Sequence, residues 1–453
     1  MKLDNYNNIF FIGIGGSGMS ALANYFIGEN KKVGGYDKFQ STNTNNLEFN
    51  GVSVIYNDNI EDVANEYLDF RNTLVIYTPA VPASSKLLEY FIYNDFKVLK
   101  RAEALGLIAN SSFCVAIAGT HGKTTTTTTT ILGHLLKSCN KSATIFLGGI
   151  SENYNSNLIV NGKDICVVEA DEFDKSFLTL KPNIACITSI DADHLDIYNG
   201  LDDLKENFNL FIKNIVSNGL LIANENLDLK ADKFGFNSSS KYNIKNINLL
   251  DGVYNFDLFI EGSLIQNFNF KLPGKHNLSN ALAAIVIALQ LDCNINDLKS
   301  ALETFIGVER RYSFHINSKN LVYIDDYAHH PEEINAIYNS LLESYPGENY
   351  LVAFQPHLYS RTRDFIDEFS NALSKFHTVL ILEIYPAREL PIKGVNADWL
   401  LSKINCPVKK IVKLEDLNKE INNCKMKINV TLGAGSIGNE ALKIKKKLLE
   451  YAI

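Results

Sequence analysis

Tryptophan, methionine and proline are scarce in this chain, at 1, 3 and 10 of 453 residues, and its seven cysteines are scattered with no Cys-x-x-Cys pair. An odd count without that spacing excludes a disulfide framework and a zinc site. Cys114, Cys166 and Cys186 lie in apolar strand-like runs and are expected to be reduced core thiols. No run is long enough to span a bilayer, and the apolar stretch 9–14 passes straight into Gly15-Gly16 without a leader pattern. A cytoplasmic location, with no membrane partner, is expected. A basic surplus is also missing: 43 Lys and Arg stand against 51 Asp and Glu, a net charge of -8. General nucleic-acid binding is excluded on that balance, and the partners should be small molecules, taken up by a monomer or a homodimer.

What is present is a globular composition, 46% hydrophobic and 21% charged, in a chain too long for a single core. Short β-branched and aromatic runs alternate with helical patterns, which predicts an α/β fold with mainly parallel sheets. Three blocks emerge. The first, 1–110, holds runs at 9–14, 52–56 and 74–77; the second, 111–312, holds 113–118, 165–168 and 184–187; the third, 313–453, holds 321–324, 350–354, 379–384 and 428–432. The polar stretch 236–248 reads as a surface loop or hairpin turn.

The most specific motif is Ala118-Gly-Thr-His-Gly-Lys-Thr124, placed between the run 113–118 and a helical pattern. Gly119, Thr120, His121 and Gly122 would aim backbone N–H groups at a triphosphate, Lys123 would supply a mobile positive charge, and Thr124 would offer its hydroxyl to magnesium. Thr125 is a second candidate. The loop is shorter than Gly-x-x-x-x-Gly-Lys-Ser/Thr, whose first glycine would fall on Ile117. Seven threonines, 124–130, open the helix against a propensity cost of up to roughly 0.7 kcal/mol each. Beyond Thr125 they read as helix wall without chemistry.

Other strand ends carry further groups. Gly13-Ile-Gly15-Gly16-Ser17-Gly18, with Asp37 about twenty residues on, fits a turn for a nucleotide diphosphate, whether nicotinamide or another. Glu169-Ala-Asp171-Glu172 and Asp191-Ala-Asp193-His194-Leu-Asp196 each follow an apolar run, so a parallel sheet would bring them to the phosphate loop's edge. Their oxygen-rich donor set suits magnesium or manganese, not zinc. His276 and Asn277 precede an alanine-rich segment, where Asn277 or Ser279 would otherwise serve as a helix cap. Arg310-Arg311 reads as a paired phosphate clamp. In the third block, Asp325-Asp326-Tyr327-Ala-His329-His330-Pro331 and Gln355-Pro-His357-Leu-Tyr359-Ser-Arg361-Thr-Arg363 also follow strand-like runs, with Arg361 and Arg363 suited to a small carboxylate.

Taken in order along essentially the whole chain, these motifs resemble the Mur ligase family of peptidoglycan synthesis. The resemblance implies three domains: a Rossmann-like N-terminal domain (1–110) for a UDP-linked substrate, a central phosphate-loop ATPase domain (111–312), and a Rossmann-like C-terminal domain (313–453) for an amino acid. It implies an ATP-dependent ligation of L-alanine to the lactyl carboxylate of UDP-N-acetylmuramate through an acyl phosphate. Gly15, Gly16, Ser17 and Gly18 would then cradle the diphosphate, with Asp37 near the nucleoside. Lys123 and Thr124 would hold ATP and Mg2+ or Mn2+, with Glu169 and His194 as metal ligands. His276 and Asn277 would lie by the adenine, Arg311 by the γ-phosphate and Asp326 by the ribose. Tyr327, His329, His357 and Arg361 would line the alanine pocket, and either His194 or His329 would assist loss of the amine's proton. Two positions depart from relatives: Leu358, where some carry arginine, and Phe173, where some carry serine. The competing readings are a tripeptide-adding ligase acting on the same sugar nucleotide, a nicotinamide-dependent oxidoreductase and a non-catalytic nucleotide switch.

Overall fold

The computed structural model describes residues 3–120, 122–191, 198, 200–250, 252–387 and 389–451, without the side chains of residues 4, 173, 174 and 451. His121, Asp193, His194 and Asp196 lie outside the described residues, and so does the expected role of each.

The fold is α/β, with three sheets drawn from successive parts of the chain. The first contains β1 (Asn8–Ile12), β2 (Lys32–Tyr36), β3 (Ser53–Ile55), β4 (Thr73–Tyr77) and β5 (Lys97–Lys100), in the order β3-β2-β1-β4-β5. Its pairings are all parallel. Every residue of β1 is buried, as a strand covered on both faces requires.

The second sheet holds ten strands: β6 (Phe113–Ala118), β7 (Ala143–Ser151), β8 (Ser156–Val160), β9 (Ile165–Ala170), β10 (Ile184–Ile187), β11 (Leu220–Asn224), β12 (Asp232–Gly235), β13 (Tyr242–Leu250), β14 (Val253–Ile260) and β15 (Ser263–Phe270). They run β15-β14-β13-β12-β11-β10-β6-β9-β7-β8, with β10, β6 and β9 parallel at the centre and β7 antiparallel to β8. The third sheet holds β16 (Ser313–Asn317), β17 (Val322–Asp326), β18 (Tyr350–Phe354), β19 (Thr378–Ile381), β20 (Val408–Ile411) and β21 (Ile428–Leu432). Its order is β16-β17-β21-β18-β19-β20, parallel except at β16.

Packing divides the molecule into two compact units. One comprises Met1–Ile247, Asn255–Phe270 and Ser279–Ile306, the other Asn248–Tyr254, Lys271–Leu278 and Gly307–Ile453. In the first unit one apolar cluster runs continuously from Ile9, Phe11 and Leu22 to Cys114, Val168, Phe177 and Phe208, so two sheets share a core. In the second unit, separate clusters around Ile324 and Phe354 and around Tyr323 and Leu351 include residues from β17 and β18.

The stretch 236–248 is a turn only as far as residue 241; the loop reading is corrected from Tyr242 onward, where the residues form β13. Tyr242, Asn243 and Ile244 are buried, and from Lys245 exposure alternates along the strand. Asparagines on its open positions had disguised a period-2 strand as a polar turn.

Candidate active site

In the first unit the phosphate loop leaves β6 at Ala118 and enters the helix Gly122–Ser138. It is fastened to the end of β10: Thr188 N–H donates to Ala118 O at 2.9 Å, and Thr120 Oγ1 accepts from Asp191 N–H at 2.9 Å. A Cβ on Gly119 would overlap the Thr188 hydroxyl, so only glycine lets the loop lie this close to the neighbouring strand end.

The threonine run is not inert wall. Thr125 through Thr130 are buried, and the hydroxyls of Thr126, Thr127, Thr129 and Thr130 each donate to the carbonyl four residues back. Bonding to the preceding turn satisfies these four hydroxyls inside the packing. Thr126 Oγ1 also reaches Glu169 Oε2 at 2.9 Å, while Gly148 N–H donates to Glu169 Oε1. The carboxylate at the end of β9 is thereby oriented from both sides.

No group of three His, Cys, Asp or Glu that could hold a metal ion occurs among the described residues. Oxygen donors at Glu169 and Thr124 still fit a magnesium site, because that ion takes one or two carboxylates and completes its shell with phosphate oxygens and water. Asp171 turns elsewhere and faces Arg101 at 3.6 Å.

The glycine turn after β1 is held by its own acid. Asp37 Oδ2 accepts from Gly15 N–H at 2.7 Å and Oδ1 from Phe39 N–H at 3.2 Å. The carboxylate that a dinucleotide site offers to a ribose is thus engaged in bracing the turn, which counts against the nicotinamide reading. Ser17 Oγ donates to Gly148 O at 3.2 Å, and Asn157 Nδ2 donates to Ser17 O at 2.8 Å. Gly16 gives the helix Ser17–Gly28 no side-chain cap, and its first turn carries no acid. Its N–H groups are left facing whatever anion the turn receives.

In the second unit, the arginine pair separates into two roles. Arg310 Nε bonds Asp325 Oδ2 at 2.9 Å, its guanidinium also donates to Gly433 O, and it lies 5.2 Å from the Tyr327 ring centroid. The paired-clamp expectation is therefore corrected: Arg310 braces the fold, and Arg311 alone remains as the phosphate candidate. Arg310 and Tyr312 both adopt left-handed backbone, at φ 59° and 55°, so Arg311 is held between two strained residues. Asp326, 3% exposed, accepts from Tyr312 N–H and Ala328 N–H, each at 2.7 Å.

The expected amino-acid residues come together. The rings of Tyr327 and His329 meet edge-on at 5.4 Å, His329 and His357 at 5.8 Å, and Tyr385 stacks on His357 at 5.7 Å. His357 Nδ1 and Arg361 Nη1 are both buried with no hydrogen-bond partner among the described residues. Such atoms are costly to bury without a partner. Burial, with His329 and Arg361 nearby, lowers the His357 pKa to about 4, so the ring is neutral near pH 7. Leu358 sits at φ 72°, a strained conformation that turns the chain from His357 into the helix Tyr359–Asp364. Arg363, by contrast, is half-exposed and paired with its neighbour Asp364 at 2.7 Å, so it leaves the carboxylate role to Arg361.

His276 lines a cavity of about 510 Å³ with Gly274, Lys275, Asn339, Ser340 and Glu343. Asn277 lies inside the first turn of the helix Lys275–Gln290 and donates to Pro273 O at 2.7 Å. The capping alternative falls, since a cap precedes the first turn.

Sequence reasoning missed the contacts made by Thr126, Gly148, Arg101 and Tyr385. Thr126 was hidden in a repetitive run; the other three come from other elements, and only folding brings Gly148 to Glu169, Arg101 to Asp171 and Tyr385 to His357.

A phosphate loop at the parallel centre of its sheet and an acid braced at the adjoining strand end are the features of a nucleotide-dependent α/β enzyme. Three family models match in succession: "Mur ligase family, catalytic domain" over 8–113, "Mur ligase middle domain" over 117–288 and "Mur ligase, glutamate ligase domain" over 310–433. A UDP-N-acetylmuramate--L-alanine ligase of Flavobacterium johnsoniae is 48% identical over 99% of this chain and 100% of its own length. One from Christiangramia forsetii is 46% identical over 99% of both. The crystal structure of the UDP-N-acetylmuramate-alanine ligase of Thermotoga maritima superposes with a TM-score of 0.81 at 26% identity, covering 98% of this chain and 99% of that one. The chain belongs to the Mur ligase family and is an ATP-dependent ligase.

Proposed function

We propose that this enzyme joins L-alanine to the lactyl carboxylate of UDP-N-acetylmuramate, a step of peptidoglycan precursor synthesis. The observation that carries the reading is near-full-length identity of 46–48% to relatives bearing that activity in their names. Residues 1–110 would take the sugar nucleotide, 111–312 ATP and 313–453 the amino acid.

A carboxylate is a poor acyl donor, and a triphosphate repels it. Transfer of the γ-phosphoryl group to the lactyl carboxylate gives an acyl phosphate and ADP; the amine of alanine then attacks the carbonyl carbon, and phosphate leaves. Lys123, with Gly119, Thr120, His121, Gly122 and Thr125, is assigned to hold the triphosphate, and Arg311 to offset charge on the transferred group. Thr124, Glu169 and His194 are assigned to Mg2+, which supplies neutralising charge at the phosphates. Gly15, Gly16, Ser17 and Gly18 take the diphosphate, with Asp37 bracing their turn near the nucleoside. His276 and Asn277 are assigned to the adenine, and Asp326 to the ribose.

For alanine, Arg361 offers a guanidinium to the carboxylate, with Tyr327 and His329 around it. A neutral His357 accepts a hydrogen bond from the ammonium group, but a pKa of about 4 makes it a weak base. Proton removal therefore falls to His329 or His194.

Phosphate release with UDP-N-acetylmuramate and alanine, serine, glycine or a tripeptide in turn tests the reading. Alanine should stimulate release and give a product heavier by one alanine residue. Stimulation by the tripeptide alone would move the assignment to the tripeptide-adding reaction. Lys123→Ala should abolish ADP formation.

A further inference from the structure

Arg101 begins the helix Arg101–Ala109, far in sequence from the turn Gly13–Gly18, yet its guanidinium lies across the first turn of the helix Ser17–Gly28. A Cβ on Gly18 would stand 2.7 Å from Arg101 Nη1 and 3.2 Å from its Cδ, so the absence of a side chain at Gly18 makes room for the arginine. The side chain is 27% exposed, and its ion pair with Asp171 is 3.6 Å long, beyond ordinary hydrogen-bond length. A cation resting on the positive end of one helix, at the start of another, is unfavourably placed unless an anion joins it. Asp171, itself 45% exposed, answers only part of that charge. Arginine's planar fork is the side chain best suited to two oxygens of one phosphate group.

We propose that Arg101 is a binding residue for the diphosphate of the sugar nucleotide, closing over it from the side opposite the backbone of Gly15–Gly18, with Asp171 holding the guanidinium in place when the site is empty. This deepens the assignment of the glycine turn to the diphosphate and rests on it. Asp171 follows Glu169 by two residues, at the end of the strand that also carries the acid assigned to metal.

The test is calorimetric titration of the full chain with UDP and, separately, with ADP, for wild type, Arg101→Gln, Arg101→Lys and Gly18→Ala. Loss of one charge-assisted contact predicts about 10- to 100-fold weaker UDP binding in Arg101→Gln. Lysine should restore part of it. Gly18→Ala should weaken UDP in the same sense, because its Cβ displaces the guanidinium while the helical backbone accepts alanine. ADP affinity and melting temperature should stay at wild-type values, and in turnover the KM for the sugar nucleotide should rise with little change in kcat. Unchanged UDP affinity in Arg101→Gln, or an equal loss for ADP and in melting temperature, would overturn the inference. Wild-type protein that takes no UDP would overturn the diphosphate assignment as well.

Discussion

His357 shows how one side chain's surroundings set both its chemistry and its contribution to stability. Burial first, then His329 and Arg361, penalises its charged form and brings the pKa to about 4, against 6.5 for an unperturbed imidazole. The unfolded chain therefore binds a proton between about pH 6.5 and pH 4 that the folded chain does not, so stability rises with pH across that window. The contribution is complete above pH 6.5 and lost as pH falls towards 4. His357→Asn should flatten this part of the melting-temperature profile and raise the KM for alanine; a variant that keeps the wild-type slope would reassign the proton uptake to another group. Arg361→Ala should raise the alanine KM about 10- to 100-fold, as expected for loss of a charged hydrogen bond, with the ATP KM unchanged. Both residues were legible in the sequence because they follow a strand-like run. The strain at Leu358 and the Tyr385 ring stacked on His357 were not, since a backbone angle and a partner 28 positions away leave no local signal.

At the scale of one element, the helix Gly122–Ser138 explains why an unfavourable threonine run is tolerated. Intrinsic propensity opposes it, but buried methyl groups pack and most hydroxyls bond to the preceding turn. Thr126 and Thr128 make a contrasting pair. Thr126 is 2% exposed and links Gly122 O to Glu169, so Thr126→Val should cost about 1 kcal/mol in stability and raise the KM for magnesium-ATP. The Thr128 hydroxyl is buried with no hydrogen-bond partner among the described residues, so Thr128→Val should leave activity intact and hold or raise the melting temperature. Parallel thermal melts and ATP titrations of the two variants separate these outcomes; equal loss in both would mean that side-chain shape, not the bond to Glu169, matters. From sequence the run could be placed on a helix, but which hydroxyl met the acid depended on the register of β9 against β6, where Ile117 pairs with Glu169.

Over the whole molecule, all seven cysteines are free thiols. Burial pushes Cys114 and Cys186 up to about 12, leaving almost no thiolate at neutral pH. A reducing agent should not shift the melting temperature, and maleimide should spare Cys114, Cys166 and Cys186 in the native protein while reaching the less buried Cys139, Cys406 and Cys424. Nucleotide linkage gives a second whole-chain expectation: ADP with magnesium at about 100 times its Kd should add about 2.7 kcal/mol of stability, read as a higher melting temperature. No shift with ADP would count against the phosphate-loop assignment.

The sequence by itself determined the α/β class, the phosphate loop, the glycine turn after β1 and the order of strand-end motifs, because each depends on residues close together in the chain. Glycine spacing, a β-branched run and a lysine at a helix start impose their geometry locally. Only the tertiary structure decided how the charges at those motifs are used. It gave Arg310 to Asp325, turned Asp37 onto its own glycine turn, paired Thr126 with Glu169 and laid Arg101 over Gly18. Those outcomes depend on sheet order, register and distance, and Coulomb and hydrogen-bond energies between residues far apart in sequence are undefined until packing fixes where each group lies.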